Sequence, residues 1–333
     1  MKTTRRDFIR QAAMGAASLS LAAAVPEYLY AGVKKELFFK IAVSQFSFAS
    51  QFWTQQLAPL DFAAKAKELG ITGLDYCSMF FADKATDKTF LTELKKRAAD
   101  NGCYNLRIMV DLLGEPGSLG DLDEKLRLKQ VESHYKWMDA AATLGCSMIR
   151  VNVEGEGNPA DVAKASVDSL GRLIAYGKKQ NVDVIVENHV GISCNGAWLA
   201  GVMKQVNSNH CGVLADFGNF CINRTKPETN DIAGYVKTTC LEEYDKYKGI
   251  AELMPYARGV HAKSHVFDAA GNDPETDFNR MFKIIKQSGF KDWVSIEYEG
   301  GLLKMYSKDG KYLDDYAGTI ATKKLVEKAG MMA

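Results

Sequence analysis

From residue 40 onward the sequence alternates between short apolar runs rich in β-branched residues and longer stretches of helical periodicity. Strand-like runs occupy residues 40–46 (KIAVSQF), 71–77 (ITGLDYC), 103–110 and 147–153 (SMIRVNV). Four more lie within NVDVIVENHVG, CGVLADFGNF, RGVHAKSH and WVSIEYEG. Helical stretches fall at 61–69, 90–101, 122–144, 159–180, 196–206, 231–254, 277–288 and 318–328, several of them stopped by a glycine such as Gly70, Gly102 or Gly145. Strands alternating with helices of this length build parallel βαβ units. Eight units over roughly 300 residues match an α/β fold of the (β/α)8 barrel type. An open doubly wound sheet would place a glycine-rich turn after its first strand; here that turn reads SQFSFASQFW, without glycine. One barrel domain over residues 37–330 is expected. The connections at 221–250 and 301–316 are longer than the barrel needs and fall on its active face.

The last four runs end on chemistry. Their apolar stretches stop at Glu187, Asp216, His261 and Glu297. A strand buried on both faces is a continuous apolar run, and a carboxylate at its end is costly to bury unless it is paired or bound to a metal. In a (β/α)8 barrel the C-terminal strand ends form the active face, so the four side chains converge there. Three carboxylates and one imidazole suit a divalent ion of borderline-hard character. Mn²⁺ or Co²⁺ comes first, with Mg²⁺ and Zn²⁺ as further options.

Composition excludes some functions. Lys and Arg total 42 against 41 Asp and Glu, so there is no basic field to hold nucleic acid. The first 31 residues read differently from the rest. Arg5-Arg6-Asp7-Phe8 precedes an apolar, alanine-rich stretch from 12 to 25, too short to span a membrane. It resembles a twin-arginine export signal, so residues 1–31 are expected to be removed, leaving an exported, periplasmic protein with no stable membrane insertion. The seven cysteines form no CxxC pair, and Cys77, Cys146 and Cys211 are expected as small core residues. No disulfide framework is expected.

The Glu/Asp/His/Glu set, in strand order five to eight, resembles the xylose isomerase-like TIM-barrel superfamily. That group contains sugar isomerases, ketose epimerases, inosose dehydratases and endonuclease IV. The resemblance implies that Glu187, Asp216, His261 and Glu297 ligate the metal, and that Glu187 and Glu297 also move the substrate proton. The ketose epimerases share a His three residues after the metal Asp and an Arg six residues after the metal His; this chain has Asn219 and Phe267. Endonuclease IV uses many more histidines than the five present here.

Other residues follow from the two-residue period of a strand. His189 lies two beyond Glu187 and Lys263 two beyond His261, so both are candidate catalytic groups able to polarise an oxygen or move a proton. Asn219, Asn152, Trp53 and His265 are candidate substrate contacts. Trp53 belongs to an aromatic wall with Phe46, Phe48 and Phe52 that could stack on a sugar face. The expected reaction is proton abstraction beside a carbonyl polarised by the ion, giving a sugar isomerase or epimerase. Loss of the C1 substituent from a 3-keto-glycoside, a lyase reaction, is the alternative, and a non-catalytic sugar-binding barrel the second. The expected partner is a small sugar or oxidised glycoside, and a homo-oligomer is compatible with the sequence.

Overall fold

A computed structural model describes residues 36–229, 231–307 and 310–333. The expected export signal lies outside the described residues. Residues from Phe38 to Ala333 form one compact unit. Its centre is a closed, all-parallel barrel of β1 (Lys40–Ser44), β2 (Gly73–Cys77), β3 (Tyr104–Met109), β4 (Met148–Val151), β5 (Asp183–Glu187), β6 (Cys211–Asp216), β9 (Ala257–Ser264) and β10 (Trp293–Tyr298). The order around it follows the chain, with β10 closing on β1. β7 (Cys221–Arg224) and β8 (Cys240–Glu243) pair separately as an antiparallel ribbon.

The expected (β/α)8 barrel is therefore the observed fold. Its strands read as buried runs because helices cover their outer face and side chains fill their inner face; all five residues of β2 and the last five of β6 and β10 are buried. Side-chain caps start the two longest helices: Asp123 accepts from the Lys125 and Leu126 amides, and Asn158, just before Pro159, accepts from that of Ala160. Gly145, at φ 88°, ends the long helix Glu124–Leu144 in the left-handed conformation. Among the described residues no helix is long and apolar enough to cross a membrane.

Four expectations are corrected. The stretch 231–254 is not one helix: it forms Ile232–Val236, then β8, then Lys246–Leu253. Thr238 and Thr239 bring β-branched residues into it, and Asp245 accepts from the Tyr247 and Lys248 amides and so starts a new helix. Cys221 and Cys240 form a disulfide across the β7–β8 ribbon. Cys77 and Cys146 are buried free thiols as expected, but Cys211 is only half-buried. The loop expected over 301–316 opens as a helix, Gly300–Tyr306.

A buried ion pair fills part of the barrel interior. Arg107 on β3 donates from Nε to Asp75 on β2 at 2.8 Å, both fully enclosed. The guanidinium crosses the interior to β9, where Gly259 makes room for it: a Cβ there would collide with Arg107 Nη1. Asp75 in turn faces His261.

Candidate metal centre

Glu187 ends β5 and Asp216 ends β6. His261 sits inside β9 rather than at its end, because Lys263 and Ser264 still pair with Glu297 and Tyr298 of β10. In register Asp216 lies beside His261, and His261 beside Ser295. The four expected ligand residues are all buried, and one ligand atom from each lies within 4.8 Å of the others. His261 Nδ1 is 3.2 Å from Glu297 Oε2, 3.6 Å from Glu187 Oε1 and 3.9 Å from Asp216 Oδ2.

Each side chain is gripped on one side and left open on the other. His261 Nε2 lies 3.1 Å from Asp75 Oδ2, so the Nε2 proton donates to Asp75 and Nδ1 is the nitrogen that can give up its proton to offer a lone pair. A carboxylate behind an imidazole is the arrangement that orients metal-ligating histidines. Asp216 Oδ1 accepts from the Gly218 and Asn219 amides at 2.6 and 3.1 Å, leaving Oδ2 without a hydrogen bond. Asn188 staples the two strand ends: it accepts from the Asp216 amide and donates to the carbonyls of Asp216 and Asn219. Ser44 donates to Glu297 Oε1 at 3.0 Å. Arg150 Nε lies 2.8 Å from Glu187 Oε2, an ion-pair contact without hydrogen-bond alignment.

Glu187 Oε1 and Oε2, Asp216 Oδ2 and His261 Nδ1 are thus buried polar atoms without hydrogen-bond partners, converging on one point. Buried polar groups are normally satisfied, and an oxygen-rich set with one imidazole supplies what a divalent ion takes. The cluster could hold such an ion.

Its electrostatics are those of crowded like charges. Burial pushes the Asp216 carboxyl well above the usual range; Lys263 opposes this, and Glu187 and Glu297 add to it. Burial works against a charge on His261, but Glu297, Asp75 and Glu187 outweigh it and raise its pKa well above the ordinary value. Burial likewise opposes ionisation of Glu297, yet His261 and Lys263 hold it well below the carboxylate range. For Glu187, Arg150 is the chief group overcoming burial and lowering the pKa.

The model of the xylose isomerase-like TIM barrel matches residues 63–316. The chain belongs to that family. Solved structures of the same fold include an L-ribulose 3-epimerase (17% identical, TM-score 0.62, covering 87% of this chain and 95% of that one). A sugar phosphate isomerase/epimerase from Parabacteroides distasonis is 14% identical with TM-score 0.62, covering 91% and 98%. A 3-keto-D-glucoside 4-epimerase from E. coli is 14% identical with TM-score 0.58, covering 87% and 99%. No curated protein matches the sequence.

Lys263, Asn219 and Asn152 adjoin the cluster through shared partners. Lys263 Nζ lies 2.9 Å from Glu299, 3.2 Å from Glu297 and 3.6 Å from Asp216, and donates to Asn219 Oδ1 at 3.2 Å. Burial opposes its charge, but Asp216, Glu299 and Glu297 keep it protonated. His189 is half-buried, with Nδ1 enclosed and unpartnered, in electrostatic reach of Asp111, Glu154 and Glu187. Asn152 donates to Asp111 at 3.0 Å, and Arg150 grips the same carboxylate at 2.6 and 3.1 Å. Burial works against the charge on Asp111, but Arg150 brings its pKa down to about 2.

His265 stands one step further out, 2.7 Å from Glu275 and 3.5 Å from Glu299. Trp53 packs edge-on to Phe46 and Phe80 at 5.8 and 5.5 Å, and all three are half-buried. Phe48 and Phe52 of the expected wall are buried and pack on Phe62, so they are core residues. Phe267 stacks on Tyr298 at 6.0 Å. His134 and His210 lie apart from the cluster, bonded to Gln130 O and Asp183.

Sequence reasoning missed Asp75, Asn188 and Glu299. Glu299 was available to it, since the two-residue period that pointed from His261 to Lys263 also points from Glu297 to Glu299. Asp75 interrupts the apolar run GLDYC, a signal of a buried, partnered carboxylate.

Proposed function

We propose that this chain is a divalent-metal-dependent sugar isomerase or epimerase that moves a proton on carbon beside a carbonyl, with Mn²⁺ or Co²⁺ as the ion. The observation that carries this reading is the pair Glu187 and Glu297. They sit on strands separated by two others, on either side of the open His261 and Asp216 ligand atoms. A pair of carboxylates so placed can serve two faces of one substrate carbon. The bound ion would supply Lewis acidity toward the carbonyl oxygen.

The chain's own residues supply the rest. One glutamate takes the proton and the other returns it. Ser44 fixes the Glu297 carboxylate, and Arg150 fixes that of Glu187. The Lys263 ammonium, among three carboxylates, can donate to a substrate oxygen. His189 Nδ1 is free to bond a hydroxyl.

In D₂O, the Mn²⁺-loaded protein should place solvent deuterium next to the carbonyl of at least one of D-allulose, D-tagatose, D-fructose or a methyl 3-keto-glucoside, and chelation should stop it. Protein that holds the ion and exchanges none of these would sink the reading, leaving a binding barrel. The 3-keto-glucoside belongs in the panel because a structural neighbour acts on a 3-keto-D-glucoside. It also tests a second reading, elimination of the C1 substituent, favoured by exposed apolar residues at Tyr235, Leu241 and Tyr306. Elimination releases the aglycone and leaves an ultraviolet-absorbing enone; epimerisation does neither.

We also infer export by the twin-arginine route. Arg5-Arg6 before an apolar stretch supports it, and a surface disulfide suits an oxidising compartment. Changing Arg5 and Arg6 to Lys should leave the precursor in the cytoplasm, as seen by fractionation; unchanged export by that route would refute the assignment. Outside the cytoplasm, free sugars and glycosides are better candidate substrates than sugar phosphates.

A further inference from the structure

The excursion between β6 and the helix Lys246–Leu253 is longer than a barrel connection requires. It starts directly after Asn219 and Phe220, next to Asp216. Phe220 O accepts from the Tyr244 amide at 2.8 Å, so the base of the excursion is pinned. Beyond that base, the disulfide Cys221–Cys240 joins the two strands. β7 packs on Gly191–Cys194, the turn after His189, while Ile232–Val236 packs on Gly300–Tyr306, the helix after Glu299. The excursion therefore runs from the β5 side of the mouth to the β10 side. The strands between them, β6 and β9, carry Asp216, His261 and Lys263.

Two of its side chains meet: the Arg224 guanidinium lies over the Tyr235 ring, 5.2 Å from its centre. Tyr235 is 44% exposed and sits on Ile232–Val236, the helix packed against the one that follows Glu299. An exposed ring so placed lines the mouth of the barrel. The excursion also exposes Leu241 on β8, and the helix packed against Ile232–Val236 exposes Met305 and Tyr306, large apolar side chains among charged ones. A free monosaccharide, hydroxylated on every carbon, has little use for such apolar side chains; a glycoside with an apolar substituent does.

We propose that the disulfide-closed excursion is a substrate cap in which Arg224 and Tyr235 bind the substituent of a glycoside whose sugar ring sits at the Glu187/Glu297 centre. This rests on the sugar-enzyme reading above and adds the substrate class. The aromatic ring offers a stacking face, and the guanidinium fixed over it offers hydrogen bonds at its edge. The disulfide closes a loop of sequence separation 19. It thereby restricts the unliganded cap and lowers the ordering cost of binding.

Calorimetry on Mn²⁺-loaded protein tests this with two probes, phenyl 3-keto-β-D-glucopyranoside and D-allulose. Arg224→Ala and Tyr235→Ala should each raise Kd for the phenyl glycoside roughly tenfold or more, with little change for D-allulose and none in metal content. Reducing the disulfide to two thiols with a phosphine should weaken the phenyl glycoside likewise in the parent protein. It should have no further effect in a Cys221→Ser/Cys240→Ser variant. Parent-like Kd values for the phenyl glycoside in both single variants, or equal weakening of both probes, would overturn the cap. Parent protein that does not bind the phenyl glycoside would also overturn the cap, whereas the sugar-enzyme reading fails separately, if metal-loaded parent protein exchanges deuterium into none of the four sugars named above.

Discussion

Asp216→Ala is expected to give a folded barrel that no longer retains Mn²⁺ through gel filtration, where the parent protein carries it stoichiometrically. Asp216 contributes the open Oδ2 to the cluster, and its Oδ1 is committed to the Gly218 and Asn219 amides. The alanine removes both functions. Asp216→Asn separates them, because an amide oxygen can still accept from the loop while the charge is gone. It should lose metal with less effect on stability. Asn188 keeps β5 and β6 joined in either variant, through the carbonyls of residues 216 and 219. Affinity should also fall with falling pH. In the metal-free protein burial raises the Asp216 carboxyl and neighbouring carboxylates raise His261, so an entering ion must expel protons from its own ligands. Raising the pH removes those protons and strengthens binding. Elemental analysis and calorimetry in two buffers of different ionisation enthalpy read both effects. Parent-like metal content in Asp216→Ala would remove the centre assigned here.

The features legible in the sequence share a physical origin: they are local. A strand covered on both faces must be apolar, so eight runs announced eight barrel strands, and a charged residue where such a run stops announced Glu187 and Asp216. His261 was legible as a residue but misplaced as a strand end. The side chains after it, Lys263 and Ser264, are polar yet remain in the sheet because the Lys263 ammonium finds Glu297 and Glu299. What could not be read was pairing across distance. Asp75 finds Arg107 on the next strand and His261 across the barrel, 186 positions further along the chain. Cys221 and Cys240 become partners only because the chain between them folds back as a ribbon. Expecting one helix over 231–254 hid that reversal.

Glu297→Gln is expected to leave the fold near that of the parent, to hold the ion more weakly because a ligand carboxylate is lost, and to cut solvent deuterium incorporation per bound ion by roughly 10²-fold or more, the scale of a lost general base. Glutamine keeps the volume and an oxygen that can accept from Ser44, as Glu297 Oε1 now does at 3.0 Å, but it cannot take a proton. Glu187→Gln is the matched test on the other side of the cluster. Its carboxylate is tied to Arg150 at 2.8 Å, so glutamine also leaves Arg150 with Asp111 as its remaining carboxylate partner. Both residues are proposed ligands as well, so exchange rates must be compared per bound ion. If each glutamate serves one face of the substrate carbon, each variant should block conversion to the epimer, while any residual exchange should return deuterium to the starting stereochemistry alone. A lyase needs only one base, so a large loss in one variant and a small loss in the other, with enone appearing from the 3-keto-glucoside, selects elimination. Parent rates of exchange per bound ion in both variants would rule out a carboxylate base here.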